Sequence, residues 1–180
     1  QFDYQWDHSI ENKTDRVSEG YNRDQKQRGI HIMDLNSDTT DLESLKTNNV
    51  EWLTFVPFVS QDDFNTPSLG GIRASRNPKR RLERWRNTIR HTEKYGFKVM
   101  IKPHVWLNNR PGGVWRSSIK MESEADWTKW FEQYSNFILS YARIAEELNV
   151  EQFCVGTELN VSVMEKPDLW LKLIKEVRTV

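Results

Sequence analysis

Glu158 is the residue whose type and placement best suit chemistry. It follows the run Gln152-Phe-Cys-Val-Gly-Thr157, so a strand there delivers its carboxylate to the mouth of a sheet. A carboxyl group in a partly desolvated pocket has a raised pKa, which suits a general acid. A surface Glu opening a βα loop is the plainer alternative, and spacing leaves both open. His104 follows Lys102-Pro103. It could hydrogen-bond a substrate hydroxyl, orient Glu158, or bridge two loops as a structural histidine. Trp106 and Trp115 are read as lying in the long loop after that strand, on the same side as Glu158. Exposed indole faces there suit stacking on the C–H face of a sugar ring. Arg110 and Arg116 in the same loop can fork hydrogen bonds to hydroxyls or carboxylates. Asp34 after the first strand and Thr157 beside Glu158 add polar groups at strand ends.

Other chemistry finds little support. The sequence has no GxGxxG or GxxxxGK[ST] loop for nucleotide phosphates and no GxSxG elbow. Its one cysteine, Cys154, lies in an apolar run, as a buried thiol would, and excludes a disulfide framework or a multi-cysteine zinc site. His31 on the first strand suits a core histidine with a satisfied hydrogen bond. His31, His104 and Glu158 could in principle hold a metal, but the first strand lacks the second histidine of a metal-dependent barrel hydrolase. A sugar site without metal or cofactor is the preferred reading. Asn12-Lys-Thr14 and Asn160-Val-Ser162 match glycosylation sequons. A glycan on Asn160 would block the site, so that match is read as fortuitous.

The elements that must position these residues follow from periodicity. Gly29–Met33 reads as a strand, and about Thr40 to Thr47 as a short helix. Glu51–Phe58 is the second strand, closed by a polar loop through Arg76. Asn77-Pro78 starts a helix, with Asn as cap and Pro in the first turn, and Gly96 suits its C′ position. Phe97–Pro103 is the third strand. Ser123 with Asp126 resembles a capping box, ahead of an apolar stripe from Trp127 to Leu148. Gln152–Thr157 is the fourth strand, and Pro167 opens a last helix. Four β/α units fit either a small open α/β sheet or half of a (β/α)₈ barrel, which takes about 250 residues. Ionisable residues gathered at the C-terminal strand ends suit an enzyme of either kind.

Composition narrows the partners. The 180 residues suit one domain at roughly 100–200 residues per domain. Mean hydropathy is low, at −0.78, yet 12% aromatic residues, eight of them Trp, is too many for a disordered chain. Lys+Arg and Asp+Glu number 26 each, a balance that favours neither nucleic acid nor an anionic membrane. No apolar run approaches the roughly 18 residues that span a bilayer. Residues 1–28 read as a polar arm without an apolar h-region, and the chain does not begin with Met. Either a targeting segment was removed or this is part of a longer product. A secreted or periplasmic location is preferred to a cytoplasmic one.

Lys102-Pro-His104, Trp115-Arg116 and Gly156-Thr-Glu-Leu159 occur in an order that resembles glycoside hydrolase family 113. Leu45-Lys46 before Trp52, Tyr95–Ile101 and Trp170…Ile174…Val177-Arg178 agree. The similarity covers residues 29–180. It implies a retaining (β/α)₈ enzyme acting on β-1,4-linked mannose polymers, with catalytic glutamates after strands four and seven. Glu158 would be the acid/base, and His104 and Trp115 would lie in the substrate cleft. Thr157 stands where many members of the wider clan have Asn. The second glutamate has no counterpart before Val180, and Asp34 does not match it. Retaining hydrolysis needs two carboxyl groups about 5–5.5 Å apart. The expectation is an N-terminal (β/α)₄ half of a larger glycosidase, or a truncated product, catalytically silent if complete as given. The alternatives are an inactive carbohydrate-binding or assembly half-barrel, associating through unpaired sheet edges, and, more remotely, a metal-dependent barrel hydrolase.

Overall fold

The computed structural model describes residues 27–32, 42–70 and 77–180, and these form five α-helices and six short strands. The polar arm through residue 26 and Asp34 lie outside the described residues. The elements are β1 (Gly29–Ile32), α1 (Leu42–Thr47), β2 (Trp52–Phe55), β3 (Phe58–Gln61), α2 (Pro78–Lys94), β4 (Lys98–Ile101), β5 (His104–Leu107), α3 (Glu124–Glu147), β6 (Gln152–Phe153), α4 (Asn160–Glu165) and α5 (Pro167–Val177). All ladder pairings between named strands are parallel, and the four-stranded sheet runs β1-β2-β4-β6. An open doubly wound sheet reverses its order at a switch point. Here each β/α unit adds its strand on the same side, as in a barrel wall. The described strands form an arc of parallel units and no closed barrel.

Three strands differ from expectation. The second does not end at Phe58, and the third does not end at Pro103. Each pauses at a proline and resumes, as β3 and β5. Phe55 pairs Ile101 and Phe58 pairs His104, which is one unbroken offset, so Pro57 stands opposite Pro103. Neither proline has an N–H to give the ladder. The flanking bonds still form: Lys102 N–H donates to the Phe55 carbonyl and His104 N–H to that of Pro57. Residues 104–107, expected as loop, are therefore strand. His104 and Trp106, two apart, share one face of it. The fourth strand is shorter than expected. Its ladder covers only Gln152–Phe153, and Cys154 is half-buried, its thiol donating to the Gly156 carbonyl.

The helix starts follow local chemistry. Asn77 accepts from the Arg80 N–H and Ser123 Oγ from that of Asp126, each supplying a partner to a first-turn donor that helix geometry leaves orphaned. Gly96 takes a left-handed φ of 72° just past α2, where a Cβ would be strained. Along α3, Trp127, Trp130, Phe131, Tyr134, Phe137, Ile138, Tyr141, Ile144 and Ala145 are buried. At about 1.5–3 kcal/mol for each large apolar side chain removed from water, this stripe outweighs any other element. Helix α4 was not expected. It is a single short turn pair between the end of β6 and Pro167, too brief to show a period. His31, expected in the core, is exposed on β1, an edge strand of the sheet formed by the described residues. The helices contain no span long and apolar enough to cross a membrane among the described residues.

Candidate active site

The mouth of the sheet gathers His104 from β5, Trp115 and Arg116 from the loop that follows it, and Glu158 from the segment after β6. That loop is tied down. Asn108 Nδ2 donates to Asp62 Oδ1 at 2.7 Å, and Lys120 N–H to the Phe64 carbonyl at 3.0 Å. A one-turn 3₁₀ helix, Arg116–Ser118, follows Trp115, with fully buried Ile119 as its anchor.

Glu158 is held by unusual backbone. Its φ is +55°, in the left-handed region where a side chain is disfavoured and strain collects at functional sites. Gly156, two residues earlier, admits no side chain. A Cβ there would meet the Trp170 ring at 2.6 Å. Trp170 itself packs edge-on against Tyr134, with centroids 5.5 Å apart, and the Tyr134 hydroxyl donates to the Val155 carbonyl at 2.9 Å. Helices α3 and α5 therefore set the turn that aims the carboxylate.

At its tip, Glu158 Oε2 accepts a hydrogen bond from the Trp115 indole and lies 3.8 Å from Arg116 Nε. The carboxylate is about half exposed, at 47%. Its pKa lies below the ordinary value, first through the Trp115 hydrogen bond and then, against some desolvation, through Arg116, His104 and Lys102. This overturns the expected raised pKa. Too little of the group is desolvated to outweigh an indole donor and nearby cations. Trp115→Phe, which deletes the donor and keeps a ring, should raise the Glu158 pKa toward the ordinary glutamate value. Carboxyl-carbon NMR titration measures this, and an unchanged titration would contradict the assignment.

His104 is 8% exposed, and its Nδ1 is hydrogen-bonded to Arg116 Nη1. Burial, then Arg116 and Lys102, lower its pKa to about 4, with Glu158 opposing. The ring is neutral at physiological pH. The unfolded chain protonates this histidine near the ordinary 6.5, whereas the fold resists until about 4. Stability therefore falls as pH drops through that window, by at most about 3 kcal/mol. His104→Gln, which keeps an acceptor for Arg116, should flatten the pH dependence of urea unfolding between 6.5 and 4.5. A slope identical to that of the parent would refute this.

Trp106 is half-buried and packs edge-on against Phe58. The Arg110 guanidinium lies 5.3 Å from the ring centres of both Trp106 and Trp115, and Arg116 lies 4.4 Å from that of Trp115. The two indoles expected as sugar platforms are thus joined by cations. Trp115 remains 38% exposed, and its N–H is spent on Glu158. Thr157 borders the same opening as Glu158, an apolar depression of about 490 Å³ floored by Val155 and Trp170. The structure brings together Glu158, Trp115, Arg116 and His104, with Trp106 linked through Arg110. Asp34 lies outside the described residues. Sequence reasoning missed Tyr134 as a support for the site. The α3 stripe marked it as core, and nothing local points its hydroxyl at Val155. Among the described residues, no group of three His, Cys, Asp or Glu is placed to hold a metal.

Residues 26–180 match the profile of Glycoside Hydrolase Family 113. Among solved structures, the chain is similar to a family-113 β-1,4-mannanase determined as a complex, with TM-score 0.66 and 24% identity over 83% of this chain and 50% of that one. It is similar also to the family-113 β-mannanase AaManA of Alicyclobacillus acidocaldarius in complex with ManMIm, with TM-score 0.69 and 24% identity over 84% and 50%. A further family-113 β-1,4-mannanase gives TM-score 0.63 and 27% identity over 77% and 44%. The chain spans about half the length of these structures. No curated protein matches its sequence.

Proposed function

The chain belongs to Glycoside Hydrolase Family 113, and on that premise we propose that it carries the acid/base half of a site that hydrolyses β-1,4-linked mannose polymers with retention. The observation that carries this reading is the Glu158 carboxylate, held at the mouth of the parallel strands by Trp115 and Arg116 with neutral His104 beside it. In the first step Glu158 gives its proton to the leaving glycosidic oxygen while a second carboxylate attacks the anomeric carbon. In the second step it takes a proton from the attacking water. The second carboxylate belongs, in this proposal, to a part of the protein outside this chain.

The lowered pKa keeps Glu158 ionised, the form the base step starts from. The acid step requires a protonated carboxyl, and an ionised partner about 5–5.5 Å away would raise the pKa as it must. A neutral polysaccharide also fits a chain whose charges cancel. Incubating β-1,4-mannan with the intact protein and assaying reducing ends tests the reading. Release supports it, and none at any pH sinks it.

A second reading draws on the company Glu158 keeps. Among the described residues, the groups that shift it are Trp115, Arg116, His104 and Lys102, and none of these is a carboxylate. The 180 residues by themselves would then bind saccharide without turning it over, associating through the edges at β1 and β6. Binding of mannooligosaccharide that weakens on Trp115→Ala, with no product, marks this outcome.

A further inference from the structure

Arg116 is the most enclosed cation of the site, only 6% exposed. Its guanidinium meets three site groups at once. It is hydrogen-bonded to His104 Nδ1, its Nε lies 3.8 Å from Glu158 Oε2, and its central carbon lies over the Trp115 ring. A guanidinium has five N–H donors, no acceptor, and does not deprotonate in proteins. His104 Nδ1 facing it must therefore be the acceptor, without a proton. A neutral imidazole carries its one proton on the other nitrogen, here Nε2.

We propose that Arg116 is a positioning residue that fixes His104 as the Nε2–H tautomer, making the ring a donor-only contact for a ligand oxygen at the mouth of the sheet. The tautomer rests on geometry alone, while the identity of the ligand rests on the saccharide reading above. The groups around the ring agree. Among the described residues, Arg116, Lys102 and His31 act against a second proton, and Glu158 favours one. Such a histidine offers a proton to a hydroxyl or ether lone pair but cannot receive one. It fixes the direction of the hydrogen bond a sugar must make. It also leaves proton transfer to Glu158, because a ring whose free nitrogen is capped by Arg116 is no base.

A proton–nitrogen correlation spectrum of the nitrogen-15-labelled 180-residue chain at neutral pH tests this. The His104 signals are identified by their loss in His104→Gln. The expected pattern is a protonated Nε2 and a bare Nδ1, unchanged in Glu158→Gln. Arg116→Met should move both nitrogens toward the averaged shifts of mixed tautomers, and Arg116→Lys, which restores a cationic donor, should bring back the parent pattern. Protonation on Nδ1 or on both nitrogens in the parent, or an unaltered pattern in Arg116→Met, would overturn the proposal. If Arg116→Met fails to fold, scalar coupling across the hydrogen bond between Arg116 Nη1 and His104 Nδ1 in the parent decides instead. Its presence supports the proposal and its absence overturns it. Adding β-1,4-mannobiose separates the two readings. A shift at Nε2 supports the saccharide as ligand, whereas a fixed tautomer with no shift upholds Arg116 and counts against the sugar.

Discussion

If Glu158 is the proposed acid/base, Glu158→Gln in the intact protein should lower reducing-end release from β-1,4-mannan by roughly 10²- to 10⁴-fold, the range a positioned general acid–base group contributes. The substitution is close to isosteric. It keeps an oxygen to accept from the Trp115 indole, so the loop and the left-handed turn at Glu158 keep their partners. What disappears is the exchangeable proton and the negative charge beside Arg116. Binding should change far less than turnover, so the loss falls on kcat rather than KM. Parent-like release of reducing ends would remove Glu158 from the reaction altogether.

Trp130→Ala destabilises the chain by about 3–5 kcal/mol for the lost aromatic core alone. Trp130 is fully buried on α3, stacked on Tyr134 at 4.7 Å and edge-on to Phe131 at 5.0 Å. Its indole also donates at 2.9 Å to Oε1 of Gln61, a fully buried amide at the end of β3. Truncation orphans that oxygen, which adds about 1–3 kcal/mol. The sum rivals the whole stability of a typical domain, about 5–15 kcal/mol. Trp130→Phe keeps most of the packing and loses only the donor, so it should fall between, near 1–3 kcal/mol. Urea denaturation of the two variants measures both. No loss in Trp130→Phe would mean that the Gln61 bond contributes nothing, and equal losses in the two variants would mean that the packing contributes nothing. The Gln61 bond ties α3 to β3, which pairs with the strand that carries His104 and Trp106 to the mouth.

The parts legible in the sequence are those whose causes lie within a few residues. Asn77-Pro78 and Ser123 start helices because cap and acceptor sit within one turn, and the α3 stripe declares its buried face by its own period. The motif around Glu158 led to the family, and the strand order agrees with it. What was hidden depends on partners far along the chain. The continuation of β2 past Pro57, as β3, is visible only because β5 lies alongside in the same register. The lowered pKa of Glu158 comes from an indole 43 residues away, and burial had seemed the stronger influence when only the apolar strand was in view. His31 is exposed because β1 is at the edge of the described sheet, which no local pattern announces.

The proposed role of Glu158 is to give its proton to the leaving glycosidic oxygen. The most direct test compares Glu158→Ala with the parent, in the intact protein, on two β-mannosides that differ only in leaving group. One releases a sugar hydroxyl, which must be protonated to depart. The other releases a dinitrophenolate, which departs unprotonated. The expected result is a loss of roughly 10²-fold or more in kcat/KM on the first and a far smaller loss on the second. Equal losses on the two substrates would contradict it.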